Sequence, residues 1–156
     1  MANTSPDTTN TMFSIAADLV NQSSRNIFLT GKAGTGKTTF LKYIRDNCSK
    51  QMAVVAPTGV AAINAGGVTI HSFFQLPFTP YIPGHVDLNG RDDVADIHSL
   101  LGKMRLTGEK KKVMRELELL VIDEISMVRC DVLDAIDTVM RHVRRNRFDP
   151  FGGVQV

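Results

Sequence analysis

The sequence predicts a three-layer α/β domain in which helices cover both faces of a parallel sheet. Three short apolar runs lack polar alternation apart from Glu118, which indicates strands buried on both faces: residues 27–30, 52–56 and 117–122. Segments with helical apolar spacing separate these runs, and such alternation is typical of a parallel sheet. The 156 residues, 43% of them apolar, are enough to form one sizeable core.

The helices are expected where apolar residues recur at helical spacing. They cover residues 12–21, 38–47, 60–65, 70–74 and 132–143. Gly66 and Gly67 end the third of these helices, and Asp131 is placed to cap the last one. Prolines and glycines between residues 77 and 90 indicate a long surface loop, whereas the charged stretch 92–115 indicates one or two further helices.

Composition narrows the class of protein. The polar residues 1–10 are expected to be disordered, and residues 11–156 to form one domain. A formal charge of +2 is too small to diagnose a polyanionic partner, and two basic clusters are interpreted as solvated helix faces or as a partner surface. The clusters are Lys110, Lys111, Lys112 and Arg115, and Arg141, His142, Arg144, Arg145 and Arg147. The separated Cys48 and Cys130, with no signal layout or long apolar run, predict a reduced cytoplasmic protein with no membrane partner.

A glycine-rich loop between the first strand and the next helix has the composition of a phosphate-binding site. It reads Gly31, Lys32, Ala33, Gly34, Thr35, Gly36, Lys37 and Thr38. Its backbone N–H groups can turn inward around an anion, and the helix adds the positive end of its dipole. Lys37 is expected to reach the β- and γ-phosphates, and the Thr38 hydroxyl to bind Mg²⁺. An ordinary glycine-rich turn would not explain a lysine and a hydroxyl at these two offsets.

Two adjacent acids, Asp123 and Glu124, follow the third apolar run. Open α/β sheets bind their ligands at the carboxyl ends of their strands. Asp123 is expected to hold the Mg²⁺ at Thr38, directly or through water, and Glu124 to act as the general base for water. A surface turn with two solvated acids is the alternative. Because kinases have less need of such a pair, hydrolysis of ATP is favoured over phosphoryl transfer.

The segment after the second strand carries candidate nucleic-acid contacts. Backbone amides at a helix start beside Thr58 suit a phosphodiester oxygen, and His71, Ser72 and an aromatic ring suit phosphates or bases. Without other information, Phe73 and Phe74 are expected to be core residues and His71 to be structural.

Four collinear motifs together resemble the first motor domain, a RecA-like P-loop NTPase lobe, of the Pif-type, RecD-like branch B of superfamily one DNA helicases. The motifs are residues 28–39, 56–62, 69–73 and 121–127. The resemblance extends over most of residues 10–156 in the same order, and two of the four motifs are unusual.

The resemblance implies an ATP-dependent helicase that moves 5′ to 3′ along single-stranded DNA and unwinds forked or tailed duplexes. It implies ATP at the loop from Gly31 to Thr39 and Mg²⁺ at Thr38 and Asp123, with Lys37, Asp123 and Glu124 as catalytic residues. It assigns the DNA strand to Pro57, Thr58, Gly59, His71, Ser72 and Phe73. Ser126 and Met127 would couple the two sites.

Relatives carry a glutamine upstream of the loop that reads adenine, and the comparable region here has Asn10, which we assign to the nucleotide site. The resemblance also implies a cytoplasmic monomer, nucleoid-associated in a bacterium. DNA repair, recombination and telomere maintenance are the expected tasks, with the pathway left open.

Residues 151–156 resemble the start of the next core strand, so we expect a domain truncated at its C-terminal end. A second lobe with transition-state arginines would lie beyond, and such an arginine is worth about 10³–10⁵ in rate, so we expect little activity from this part alone. Two alternatives stay open. An AAA-type or transposition ATPase also pairs a phosphate loop with Asp-Glu but would not require the motif at 69–73. A non-catalytic ATP-binding module is the other.

Overall fold

The computed structural model describes residues 10–84 and 94–156. Within these ranges the helices are α1 (Thr11–Gln22), α2 (Lys37–Asn47), α3 (Gly59–Ala65), α4 (Ile70–Phe74), α5 (Ile97–Lys103), α6 (Gly108–Glu116) and α7 (Cys130–Arg144). The strands are β1 (Met52–Ala56), β2 (Val68–Thr69) and β3 (Leu119–Ile122). Short 3₁₀ turns, Ile125–Met127 and Pro150–Gly153, lie on either side of α7. The expected disorder of residues 1–9, and the part of the predicted surface loop from 85 to 90, lie outside the described residues.

The sheet is parallel and has the strand order β2-β1-β3. In β1, Val55 pairs with Val68 of β2 on one side and with Ile122 of β3 on the other. Parallel strands end at the same edge of a sheet, so the segments that follow β1, β2 and β3 all leave from one edge. This edge carries most of the candidate site.

Helices cover both faces of the sheet, which confirms the three-layer prediction. On one face, Leu119 belongs to an apolar cluster with Val20 of α1 and Ile44 of α2. On the other face, Leu120 packs with Phe74 and Ile136, both fully buried, in the main core. Alternate residues of β3 thus face opposite layers, as the two-residue period of a strand requires.

The predicted first strand, residues 27–30, does not form as a buried strand. The Ile27 N–H donates to the Val156 carbonyl (2.8 Å), while Phe28 and Leu29 are 75% and 42% exposed. No described segment pairs with Phe28 or Leu29. The apolar run is therefore an extended segment with one backbone anchor.

Gln155 extends the sheet beyond β3. It pairs in parallel with Leu119, and its side chain is 2% exposed. The amide Nε2 donates to the carbonyls of Leu19 (3.1 Å) and Arg25 (2.8 Å), and Oε1 accepts from Lys50 Nζ (2.6 Å). Because a buried polar group without partners is costly, this satisfied amide fixes the C-terminal segment against the end of α1.

The expectation that Asp131 caps the last helix is wrong. The N-cap position of α7 is Arg129, and Asp131 lies in the first helical turn. Its carboxylate accepts from Arg129 (2.9 and 3.1 Å) and from the Tyr81 N–H (3.3 Å). Asp131 therefore joins the loop before α5 to the start of α7 instead of closing the helix.

The second basic cluster is partly structural. Arg144 donates to the carbonyls of Met114, Arg115 and Leu117 and, through Nε, to that of Gly152. Arg141 pairs with Asp137 (2.7 Å). These guanidinium groups close the end of α6 and the turn after α7, so they are not solvated helix faces.

The other elements were predicted closely. β1 and α4 have the predicted bounds, and α1, α2 and α3 begin or end within a residue or two of them. The charged stretch forms α5 and α6, with a capping box at Asp96 and Ser99. The short strand β2 was missed because two residues are too few to show the alternation that marks a strand.

Candidate nucleotide site and nucleic-acid interface

The phosphate loop is shaped by its glycines. Gly34 and Gly36 have φ values of 79° and 89°, in the left-handed region that costs other residues about 1–2 kcal/mol. A Cβ at Gly31 would lie 2.6 Å from Thr35 Oγ1, and that hydroxyl donates to the Lys32 carbonyl (2.8 Å). The loop is therefore a set of local turns that only this glycine pattern allows.

Lys37 is the first residue of α2 and folds back over the loop. Its Nζ donates to the carbonyls of Gly31 (2.8 Å) and Lys32 (3.0 Å), which holds the ammonium at the mouth of the loop. Residues 31–39, including Thr38 and Thr39, are exposed. An ammonium in this place, beside free N–H groups at a helix start, suits the oxygens of a polyphosphate.

The acid pair continues directly from β3. The Asp123 N–H donates to the Val55 carbonyl (2.9 Å), so the ladder with β1 extends one residue past Ile122. Glu124 is exposed and has φ +52°, a left-handed conformation that is uncommon for a glutamate. The chain therefore turns sharply at Glu124 into the 3₁₀ turn Ile125–Met127, which contains Ser126 and Met127.

Asp123 and Thr38 offer the oxygen donors that were predicted for Mg²⁺. Asp123 is half-buried, and no described residue forms a hydrogen bond or ion pair with its carboxylate. A carboxylate and the Thr38 hydroxyl are hard oxygen ligands of the kind Mg²⁺ takes when it keeps several waters. The described residues contain no group of three or more histidine, cysteine or acidic side chains arranged for a metal. Asp123 and Thr38 would therefore leave the remaining positions around the ion to water and phosphate oxygens.

The starts of α3 and α4, which carry the candidate DNA contacts, lie side by side at the same edge of the sheet. Thr58 caps α3 by accepting from the Ala61 N–H (3.2 Å), and Thr69 caps α4 by accepting from the Ser72 N–H (3.3 Å). The pairing of Ala56 with Thr69 sets these caps next to each other. Pro57 is half-buried, and Gly59 has open space where a side chain would stand.

The candidates on α4 differ in exposure. Phe74 is fully buried, as expected, whereas Phe73 is only partly buried and packs edge-on against Phe74 at 4.8 Å. Ser72 is exposed, and its carbonyl accepts from Lys110 Nζ (2.8 Å). The expectation that both phenylalanines are core residues therefore holds fully for only one.

His71 lies between the core and the surface. Burial lowers the pKa of its imidazole below the ordinary value, and the nearby Asp131 carboxylate partly opposes that shift. The ring of Phe78 stacks on the imidazole with centroids 4.9 Å apart and planes 16° from parallel. The imidazole is thus favoured in its neutral form at neutral pH.

Asn10 caps α1 by accepting from the Phe13 N–H (3.1 Å). Phe13 in turn packs edge-on against Phe40 and Tyr43 of α2, with centroids 5.1 Å away in each case. This packing brings the start of α1 close to the first turns of the helix that follows the phosphate loop. The adenine contact of Asn10 stays a prediction.

The structure thus gathers the candidates into two neighbouring groups. The acid pair follows β3, and the capped starts of α3 and α4 follow β1 and β2, so all of them lie at one edge of the sheet. Phe40, in the helix after the phosphate loop, belongs to the same apolar cluster as Val121, two residues before Asp123. Convergence of Lys37 and the acids on one triphosphate stays a prediction. Sequence reasoning named Lys110 only as a member of a basic cluster and passed over Phe78, which belongs to no motif. An aromatic residue among the prolines of the loop was the available signal for Phe78.

Comparison with known proteins agrees with this arrangement. The chain is 35% identical over 144 residues to the ATP-dependent DNA helicase PIF1 of Saccharomyces cerevisiae, covering 86% of this chain and 15% of that protein. It is 36% identical over 138 residues to the ATP-dependent DNA helicase Pif1 of a Psychrobacter species, covering 86% of this chain and 19% of that protein. The chain therefore spans less than a fifth of the length of either relative.

Solved structures match as well. The crystal structure of Bacteroides Pif1 bound to single-stranded DNA superposes with a TM-score of 0.77 at 44% identity, covering 94% of this chain and 30% of that one. The Candida albicans Pif1 helicase superposes with a TM-score of 0.71 at 34% identity, covering 93% and 30%. The family model for PIF1-like helicases matches residues 5–156. Sequence motifs, fold and family model thus agree, and the chain belongs to the PIF1-like helicase family.

Proposed function

We propose that this chain is the ATP-binding part of a DNA helicase that couples ATP hydrolysis to 5′-to-3′ movement along single-stranded DNA and to unwinding of forked or tailed duplexes. The proposal draws on the names of its relatives, which are ATP-dependent DNA helicases. Bacteroides relatives have been solved with single-stranded DNA and with ADP-AlF₃.

One observation carries the proposal: the hydrogen bond from the Asp123 N–H to the Val55 carbonyl (2.9 Å). It joins the acid pair to β1 at the point where β1 leads into Pro57, Thr58 and the start of α3. Residues suited to ATP and residues suited to a DNA backbone are thus linked across two adjacent strands. A movement of the acid pair with the nucleotide state would be transmitted to the helix starts.

In this mechanism each group has one task. Lys37 and the loop N–H groups bind the β- and γ-phosphates. Thr38 and Asp123 would hold Mg²⁺, which would supply positive charge beside the phosphates. Glu124, exposed and turned out of the strand direction, takes the proton from the attacking water. Asn10 contacts the adenine. Pro57, Thr58, Gly59, His71, Ser72 and Phe73 contact the single strand.

The setting is part of the same proposal. We infer a monomer that works in the cytoplasm, on the nucleoid in a bacterium, in DNA repair, recombination or telomere maintenance. None of the helices in the described ranges is both long and apolar enough to cross a bilayer.

Unwinding by the intact protein tests the proposal. Stopped-flow assays with duplexes that carry either a 5′ or a 3′ single-stranded tail should show unwinding with the 5′ tail alone, and ATP turnover should rise strongly with single-stranded DNA. Turnover without unwinding would favour an AAA-type or transposition ATPase. Nucleotide binding without turnover would favour a non-catalytic module.

A further inference from the structure

Phe78 is a large apolar side chain held in an exposed position. It is 90% exposed, although one face of its ring lies over the His71 imidazole with centroids 4.9 Å apart and planes at 16°. The opposite face and the ring edge are therefore in solvent. Single exposed apolar residues are common on protein surfaces and need no explanation. The stacking of Phe78 on His71 and the position of the ring near α4 are more informative.

The loop that carries Phe78 is anchored on both sides. Leu76 before it and Tyr81 after it are 7% and 4% exposed. The Tyr81 hydroxyl lies 3.0 Å from Thr138 Oγ1, and its N–H donates to Asp131 (3.3 Å). Phe78 is thus presented from a short segment fixed to α7, and ordering it for a ligand would cost little conformational entropy.

The position of the ring continues the proposed DNA segment. Its stacking partner, His71, lies in the first turn of α4, and the cap of α4 at Thr69 lies beside β1 at the edge that also carries Thr58. Across α4, Lys110 Nζ is held at the Ser72 carbonyl (2.8 Å) and places a positive charge beside the same helix. An aromatic face together with a nearby cation is the combination that binds single-stranded nucleic acids.

We propose that Phe78 is a base-stacking residue of the single-stranded DNA track, with His71 holding its ring from behind. The inference rests on the proposed function and adds a contact that none of the motifs contains. A nucleobase is the occupant because the open face is flat and apolar, and because Lys110, bonded to the residue after His71, offers a cation for the phosphates. Stacking of this kind tolerates any base, which suits a motor that moves along arbitrary sequence.

Affinity for single-stranded DNA tests the proposal in the intact protein. Fluorescence anisotropy with a labelled oligothymidine should show that Phe78→Ala weakens binding about 5- to 150-fold, the range for loss of one stacked base. Phe78→Trp should restore the affinity because a larger ring stacks as well. Phe148→Ala is the matched control: Phe148 is 95% exposed but has no ring partner among the described residues.

An abasic oligonucleotide separates stacking from other effects. It keeps the phosphates and removes the bases, so the wild type should lose affinity on it while Phe78→Ala should bind it as the wild type does. Equal weakening of Phe78→Ala on both oligonucleotides would overturn the stacking role, as would unchanged affinity for oligothymidine. Failure of the wild type to bind either one would instead overturn the proposed function.

Discussion

The phosphate loop and the candidate DNA segment, residues 57–81, are built in opposite ways. Residues 31–39 are all exposed, and the hydrogen bonds of Lys37 and Thr35 reach no further than six positions along the chain. In the DNA segment, Tyr81 instead contacts Asp131 and Thr138, 50 and 57 positions away.

The difference teaches where each geometry comes from. The loop takes its shape from its own glycines, so its side chains can change without loss of the fold. The DNA segment takes its shape from packing, with Ile70 and Phe74 almost fully buried beneath the residues that would touch DNA. Substitutions on the nucleotide side should therefore change chemistry alone, whereas those in the DNA segment should change stability and DNA affinity together.

Glu124→Gln should give the largest effect and leave stability unchanged. Because Glu124 is exposed and is the proposed general base, kcat for ATP should fall about 10²- to 10⁴-fold, while nucleotide affinity and thermal unfolding stay close to wild type. Steady-state ATPase assays and equilibrium nucleotide binding measure the two. Asp134→Asn, an exposed acid on α7, is the control. Equal turnover in Glu124→Gln and Asp134→Asn would show that Glu124 takes no part in ATP hydrolysis.

Lys37→Ala should weaken both nucleotide binding and turnover. Loss of one preorganised donor typically costs about 10²- to 10³-fold in kcat, and unwinding should disappear with it. Affinity for single-stranded DNA should change less than about 2-fold, since both hydrogen bonds from Lys37 to described residues stay within the phosphate loop. Lys42→Ala, exposed on the same helix, is the matched control. A loss of DNA affinity in Lys37→Ala as large as its loss of nucleotide affinity would show that the two regions do not act separately.

Phe74→Ala should show the opposite pattern. Phe74 is fully buried in the main core, so its truncation should lower the free energy of unfolding by about 3–5 kcal/mol. DNA affinity should fall as well, because α4 carries His71 and Ser72. Phe28→Ala, at a side chain 75% exposed, should leave both nearly unchanged. Urea denaturation and anisotropy on the same samples give the two readings; unchanged stability would show that α4 does not depend on the core.

The same contrast explains how much the sequence could predict. Glycine, lysine and hydroxyl spacing encodes the phosphate loop directly, and β1 and the acid pair follow from an apolar run and its end. The strand predicted at residues 27–30 did not form because an apolar run becomes a strand where a neighbouring segment pairs with it. Within the described part of the chain, Ile27 is the one residue of this run whose N–H bonds to another segment. The cap predicted for α7 was wrong because the helix already begins at Cys130, and Asp131 in its first turn accepts from Arg129 and the Tyr81 N–H instead.

The DNA segment shows the limit most clearly. Its motif residues could be named from the resemblance, but the split between buried Phe74 and half-exposed Phe73 is set by packing on the sheet. The stacking of Phe78 on His71 joins residues seven positions apart through a loop whose path depends on Tyr81 and α7. No local pattern encodes that path.

Thr58→Ala should moderately lower both the stability of the protein and its affinity for DNA. It removes the cap that accepts from the Ala61 N–H, which typically costs about 1 kcal/mol of stability. DNA affinity should fall in the same variant, because α3 begins at the proposed strand contact. Thr58→Ser keeps the hydroxyl and should recover both, as urea denaturation and anisotropy can measure. Loss of affinity that persists in Thr58→Ser would assign the contact to the methyl group instead of the cap.

The smallest expected effect is on the titration of His71, and it tests how the DNA segment is held. Burial disfavours the charged imidazole, so its pKa in the folded protein should lie below the ordinary value of about 6.5. As pH falls, the unfolded chain binds this proton first, so the contribution of His71 to stability is present above pH about 6.5 and is lost as pH drops through the folded pKa.

Asp131 is the acidic group that raises this pKa, so Asp131→Asn should lower it further, while Phe78→Ala should raise it by admitting water to the ring. NMR titration of the His71 C–H resonances measures all three; a higher pKa in Asp131→Asn would mean that the carboxylate does not face the imidazole, and the link between α4 and the start of α7 would have to be redrawn.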